Sequence, residues 1–257
     1  MLGVYDSGLG GLTVLAAMRA AGINADIVYF ADQAHNPYGD RTDAEIAGFL
    51  RDNLAVLAEQ RVDAVITACN TTCAVAERLG WPATPFPVLD LIATAGRSFV
   101  ATPYRRIAVV ATAATVRSGA YGRAIRATAP AAEVYEIAAP QLVPIVEQGL
   151  AESETARQAV IDAVAGLAPG VDAIVYGCSH YPLLDRWFAA ALGGGVARID
   201  PAVAQAAASA KLIAGLGLAR GASTTAYYTN GDPHAFEAAI RRWTGDTTGR
   251  VAALVAP

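Results

Sequence analysis

One ten-residue string occurs twice in the chain. Val62–Thr71 reads VDAVITACNT, and Val171–His180 reads VDAIVYGCSH. Each copy is a short β-branched run, then a polar turn with a cysteine at the same place, then a helical pattern. A strand feeding a helix through a tight polar turn is half of a βαβ unit, and βαβ units build parallel sheets. Short Val-Asp-Ala strings are common in α/β proteins, but matched cysteines in matched turns favour true internal pseudo-symmetry. A looser echo joins GVYDSGLGGLTV near the start to IAVVATAATVRSG from Ile107.

The rest of the chain alternates in the same way. Strands are expected at Gly3–Tyr5, Ile27–Phe30, Ala64–Thr67, Val88–Leu89, Ile107–Ala111, Glu133–Ile137, Ala173–Tyr176 and Ala197–Ile199. Helices are expected at Gly11–Ala21, Thr42–Glu59, Ala74–Leu79, Gly119–Ala129, Glu152–Ala165 and Ala202–Leu216. The fold class is therefore α/β: two pseudo-symmetric domains, each a parallel-sheet α/β sandwich, with the active site in the cleft between them. The first is expected to span 1–94 plus 206–257, and the second 95–205. They meet near Ala95–Thr102, where the pattern breaks. The tail Tyr227–Thr244 reads as a turn and a helix that returns to cover the first half. Ligands of parallel sheets bind beyond the carboxyl ends of the strands, and every polar motif here falls at such an end.

Composition narrows the function classes. A chain of 257 residues with 54% hydrophobic and 16% charged residues can bury a substantial core. A net charge of −4 gives no electrostatic case for nucleic acid or for an anionic membrane. Charge or glycine interrupts every apolar stretch well short of a membrane span. Met1–Asp6 lacks a basic segment followed by a long apolar one, so a cytoplasmic location is expected. Three cysteines, an odd number, suit a reducing compartment.

A pseudo-two-fold axis would put Cys69 and Cys178 on opposite walls of one cleft. That geometry inverts a carbon centre: one thiolate removes a proton from one face, and the other thiol delivers one to the opposite face. A helix N-terminus lowers a thiol pKa, and both cysteines precede expected helices. His180 is placed to orient or deprotonate Cys178, and Asp6 to do the same for Cys69. The DSGLGG turn, Asp6–Gly11, offers backbone N–H groups to an anion, and Asp6-Ser7 suits an ammonium beside a carboxylate. It is only a partial dinucleotide fingerprint, because Thr13 stands at the third glycine position. With Asp32 as the ribose acid, that keeps a dinucleotide-binding oxidoreductase as a rival reading. In PYGDRT, Pro37–Thr42, Thr42 is the expected helix N-cap, and Thr112 and Thr115 are either caps or ligand hydroxyls. Cys69, Cys73, Cys178 and His180 offer four zinc ligands, but not in the compact paired spacing of zinc ribbons. Lys211, the single lysine, lies mid-helix outside every motif, and no Gly-Lys-Ser/Thr phosphate loop occurs. The expected chemistry uses neither cofactor nor metal.

Taken together, GVYDSGLGGLTV, NPYGDRT, ACNT, ATAATVRSGAY, APQLVPIVEQG, GCSHYPLL and YYTNGDP resemble the glutamate racemase family in order and spacing, over nearly the whole chain. The resemblance implies cofactor-independent interconversion of L- and D-glutamate, supplying D-glutamate for peptidoglycan. It implies Cys178 as the base toward the L-enantiomer and Cys69 toward the D-enantiomer. Substrate contacts are implied for Asp6, Ser7, Pro37, Tyr38, Gly39, Asn70, Thr71, Ser179 and His180, and further for Thr112, Thr115 and Glu147. The implied partner is small-molecule glutamate, with a homodimer left open. Ser179 stands where the family usually has Thr, Cys73 where Ser or Ala is usual, and Ala139 for a frequent Cys; ADQAHN before Pro37 also departs. These keep open a paralogue acting on aspartate or another amino acid. A binding protein that has kept the cleft without turnover is the reading from another class.

Overall fold

A computed structural model describes residues 1–218, 223–247 and 249–254. The first half runs β1 (Leu2–Asp6), α1 (Leu12–Ala20), β2 (Ile27–Ala31), α2 (Asp43–Glu59), β3 (Ala64–Thr67), α3 (Asn70–Leu79) and β4 (Val88–Leu89). Helix α4 (Leu91–Arg97) crosses to the second half. That half runs β5 (Arg106–Ala111), α5 (Ala113–Ser118), α6 (Ala120–Thr128), β6 (Glu133–Ala138), α7 (Leu142–Glu147), α8 (Glu154–Val164), β7 (Ala173–Gly177), α9 (Asp185–Leu192) and β8 (Ala197–Ile199). Helix α10 (Pro201–Gly215) returns, and β9 (Thr225–Thr229), α11 (Pro233–Thr244) and β10 (Val251–Ala253) finish the described chain.

Two all-parallel sheets result, ordered β10-β9-β2-β1-β3-β4 and β6-β5-β7-β8. The run β2-β1-β3-β4 has the same order as β6-β5-β7-β8, so the echoes in the sequence reflect one topology used twice. The cysteine turns follow β3 and β7, which occupy equivalent places. Both crossovers also match: Asp90 caps α4 and Asp200 caps α10, each accepting from a backbone N–H of the first turn.

Period-two alternation fills both faces of each sheet. From β1 and β3, Leu2, Val4, Ala64 and Ile66 enter the core beneath α1 and α10. Tyr5 and Val65 enter the core on the opposite face, beneath α2. From β5 and β7, Ala108, Val110, Ile174 and Tyr176 face one way, while Ile107, Val109, Ala173 and Val175 face the other. This is why these strands read as continuous apolar runs.

The expected strands are all present, with ends shifted by at most one residue. Two elements correct the sequence reading. Tyr227 is not part of a turn: Thr225–Thr229 is a strand that pairs with β2. The turn follows at Asn230–Asp232, and α11 then covers α1. The expected break at Ala95–Thr102 begins inside α4. Gly96 there is a contact residue rather than a breaker, since a Cβ would stand 2.7 Å from Ala124 Cβ. Residues 219–222, 248 and 255–257 of the expected first half lie outside the described residues.

Helix α2 begins with a full capping box: Thr42 accepts from Glu45 N, and Glu45 accepts from Thr42 N. Thr42→Ala is expected to lower unfolding free energy by about 1 kcal/mol in urea denaturation, with activity unchanged.

Candidate active site

The carboxyl ends of both sheets face one cleft. Its wall is Ser7, Asn36, Pro37, Tyr38, Gly39, Asp40, Cys69, Asn70 and Thr71 from the first half, and Thr112, Pro140, Val143, Cys178, Ser179 and His180 from the second. Both repeated thiols therefore line the same space, one from each half, and are only 3% and 5% exposed. Asp6, Thr115 and Glu147 do not form the wall. Each stands directly behind it, bonded to a wall residue.

Cys69 is itself the N-cap of α3. Its sulfur accepts from Thr72 N and contacts Ser7 Oγ, both at 3.5 Å. Asp6 makes no hydrogen bond to Cys69; Ser7 occupies that role. Asp6 Oδ1 accepts from Gly8 N at 2.9 Å, and Oδ2 accepts from Ser179 Oγ at 3.0 Å. The helix N-terminus does not give Cys69 an acidic thiol. Burial, reinforced by the nearby Asp6 carboxylate, pushes it up to about 12. Asp6 is fully buried, and burial raises its carboxyl as well.

The second thiol sits in a different local setting. Cys178 leads into a 3₁₀ turn, Tyr181–Leu184, and only then into α9. Its partner is His180, with Nδ1 3.6 Å from the sulfur. His180 Nε2 lies 2.6 Å from Glu147 Oε1, and that oxygen also accepts from Leu9 N at 3.0 Å. Burial disfavours an imidazolium, but the contacts to Cys178 and Glu147 outweigh it and carry His180 well above its ordinary range. Burial likewise raises Glu147, but its bonds to His180 outweigh that and leave the carboxyl lowered. Both shifts favour the ion pair, and the His180 ring faces the Cys178 sulfur.

Three hydroxyls cluster across the halves, two in the wall and Thr115 behind it. Thr71 Oγ1 lies 2.9 Å from Thr112 Oγ1 and 3.3 Å from Thr115 Oγ1. Thr112 is also the N-cap of α5, so the cap and ligand readings of this residue are compatible. Tyr38 is held from behind by a buried cluster the sequence reading did not foresee. Tyr38 donates to Asp32, Tyr5 donates to Tyr38 at 3.0 Å, and Asn53 Nδ2 reaches Tyr5, Asp32 and Tyr38. Asn53 was detectable, because it interrupts the buried α2 stripe of Leu50, Leu54 and Leu57.

The rival readings find no support in this arrangement. Asp32 is completely buried and engaged by His35, Tyr38, Asn53 and Asn230, leaving no approach for a ribose. Gly8 and Gly10 of DSGLGG face the second half rather than a phosphate, while Gly11 packs on Asp6 and Tyr29 of its own half. A Cβ on Gly8 would stand 2.3 Å from Glu147 Oε1, and one on Gly10 2.4 Å from Ser179 Oγ. Cys73 is turned away from the cleft into the core, against Thr67 Oγ1 at 3.1 Å. The four-ligand zinc set is thus not assembled, and among the described residues no cluster of three or more His, Cys, Asp or Glu is placed to hold a metal. No described helix is long and apolar enough to cross a membrane.

With this geometry in hand, comparison with known proteins is informative. Residues 14–209 match the family model described as Asp/Glu/Hydantoin racemase. A glutamate racemase of Gloeobacter violaceus is 42% identical over 95% of this chain and 92% of its own. The crystal structure of a glutamate racemase isoform from Bacillus anthracis superposes with a TM-score of 0.91 at 29% identity, covering 100% of this chain and 98% of its own. That of the Francisella tularensis glutamate racemase in complex with D-glutamate gives 0.89 at 27% identity, covering 99% and 97%. The chain belongs to the Asp/Glu/hydantoin racemase family and, within it, to the glutamate racemases. It is an isomerase of the amino-acid racemase type.

Two outcomes are expected. Gly10→Ala forces the Ser179–His180 turn outward and should lower activity about a hundredfold, with the circular dichroism spectrum retained. In a Cys73→Ser/Cys178→Ser protein, ultraviolet thiolate absorbance from Cys69 should stay absent at neutral pH and emerge only toward strongly alkaline pH; an ordinary thiol titration would refute the raised value.

Proposed function

We propose that this chain interconverts L- and D-glutamate by two-base proton transfer at the α-carbon, with Cys178 serving the L-enantiomer and Cys69 the D-enantiomer. The observation that carries the reading is the pair of thiols from equivalent turns of the two halves, both buried and lining one cleft. The relative from Francisella tularensis, whose structure contains D-glutamate, supports the substrate. The product would serve peptidoglycan synthesis, as the family resemblance implies.

The chemistry follows from the wall. Cys178 as thiolate, kept next to the His180 cation, takes the Cα proton of L-glutamate. The Cα–H electron pair flows into the adjacent carboxylate, and the Cys69 S–H delivers its proton to the opposite face. The wall contains no Lys or Arg, so the substrate carboxylates are met by neutral donors: Ser7, Asn70, Thr71 and Thr112. Preorganised donors in a water-excluded site stabilise developing charge without reorganisation. The α-ammonium, arriving near Asp6 and Cys69, lowers both pKa values toward the working range. Cys69 is therefore a poor base when empty and a competent one when the substrate is bound. Asp6, Thr115 and Glu147 act from behind the wall, through Ser179, Thr71 and His180 respectively.

The decisive test uses heavy water. D-glutamate first formed from L-glutamate should carry deuterium at Cα, while recovered L-substrate largely does not; the mirror result should hold from D-glutamate. Substantial protium in the first product would exclude two separate bases. Cys69→Ala and Cys178→Ala should each abolish net racemisation, whereas Cys73→Ala should retain most of it. Glu147→Gln should reduce kcat/KM about tenfold or more, equally in both directions because the equilibrium constant is fixed, and should bring the His180 ring titration down.

A further inference from the structure

Tyr121 lies on α6 in the second half and is completely buried. Its hydroxyl donates to Asn70 Oδ1 at 2.5 Å, reaching across to the first turn of α3 in the other half. This is its only hydrogen bond among the described residues. Asn70 forms part of the cleft wall, and its Nδ2 has no protein partner among the described residues. Burial first, with Cys73 and Asp200 adding to it, holds the Tyr121 phenol well above its ordinary acidity, so it stays a donor.

A carboxamide can present either end to a partner. With its carbonyl toward Tyr121, the phenol proton is paired and both amide N–H donors are left for the cleft. With the amide flipped, Asn70 donates to the phenol oxygen. The phenol proton is then buried without an acceptor, and the Asn70 carbonyl confronts whatever carboxylate enters. Both consequences are unfavourable. We propose that Tyr121 is a positioning residue that fixes the Asn70 carboxamide with its N–H donors toward the cleft, so that a substrate carboxylate is recognised across the interface between the halves. The inference rests on the reading of the cleft as an amino-acid site. It adds a determinant that no wall residue reveals, since Tyr121 touches no substrate.

The test is a double-mutant cycle read as steady-state kinetics in both directions. Asn70→Ala should raise KM for both enantiomers about tenfold, the loss of one charge-assisted hydrogen bond. Tyr121→Phe should raise both KM values about three- to tenfold with kcat changed less than about twofold, because binding is lost equally in ground and transition states. The double variant should match Asn70→Ala alone. Asn70→Asp, which keeps an acceptor for Tyr121 but turns a second oxygen into the cleft, should raise KM beyond Asn70→Ala. The proposal is overturned if Tyr121→Phe lowers only kcat or the active fraction, if its effect adds in full to that of Asn70→Ala, or if Asn70→Asp binds as the parent does. Should Asn70→Ala racemise like the parent, substrate contact at Asn70 fails and this inference falls with it. An impaired Asn70→Ala with an additive double variant refutes the Tyr121 role while leaving the site reading intact.

Discussion

Everything at the site depends on the seam between the Asp6–Gly11 turn and the Cys178–His180 turn. Ser179 Oγ donates to Asp6, Leu9 N donates to Glu147, and Thr13 Oγ1 donates to the Ser179 carbonyl at 3.2 Å. These bonds pin two independent sheets to one another at the ends where their thiols emerge. The seam tolerates no side chain at Gly8 or Gly10, which is why the turn is glycine-rich. A glycine turn after a first strand invites a phosphate-binding interpretation; here the backbone is approached by the protein's other half.

The same seam gives the two thiols different surroundings. Cys69 is surrounded by hydroxyls and faces a buried carboxylate, so burial dominates and the proton is held. Cys178 has the His180–Glu147 pair at its side, and Glu147 is itself fastened to the first half through Leu9. A pseudo-symmetric backbone thus sets its two thiols in unlike surroundings, hydroxyls and a carboxylate beside one and a His–Glu pair beside the other.

Much of this was legible in the sequence. The five interior strands β1, β2, β3, β5 and β7 announced themselves as continuous apolar runs because both of their faces are buried, and the duplicated cysteine turn located the cleft. What escaped has a physical reason in each case. Strand β9 is only half-buried and gains its definition from pairing with β2, nearly two hundred residues away in sequence, as the Ile27–Thr225 register shows. Helix α4 contains Gly96 and is followed by Ser98 as its C-cap, and its stability comes from packing on α6 rather than from propensity. Burial at Cys69 defeated the expectation of a lowered thiol pKa, since a helix terminus contributes less than desolvation does. The cluster around Tyr38 joins residues from β1, α2 and the loop after β2, which share no sequence pattern.

The placement of β9 has a consequence for how the chain acquires its structure. The second sheet is assembled from one continuous stretch, β5 to β8, and its contacts are comparatively local. The first sheet waits for a strand that lies beyond α10, so β2 keeps an open edge until the C-terminal tail arrives. During synthesis on the ribosome, the half that bears Cys178 can therefore condense first, while the half that bears Cys69 is completed last. Truncations of the tail would then expose a parallel edge to other chains, and aggregation rather than simple loss of activity becomes their characteristic failure.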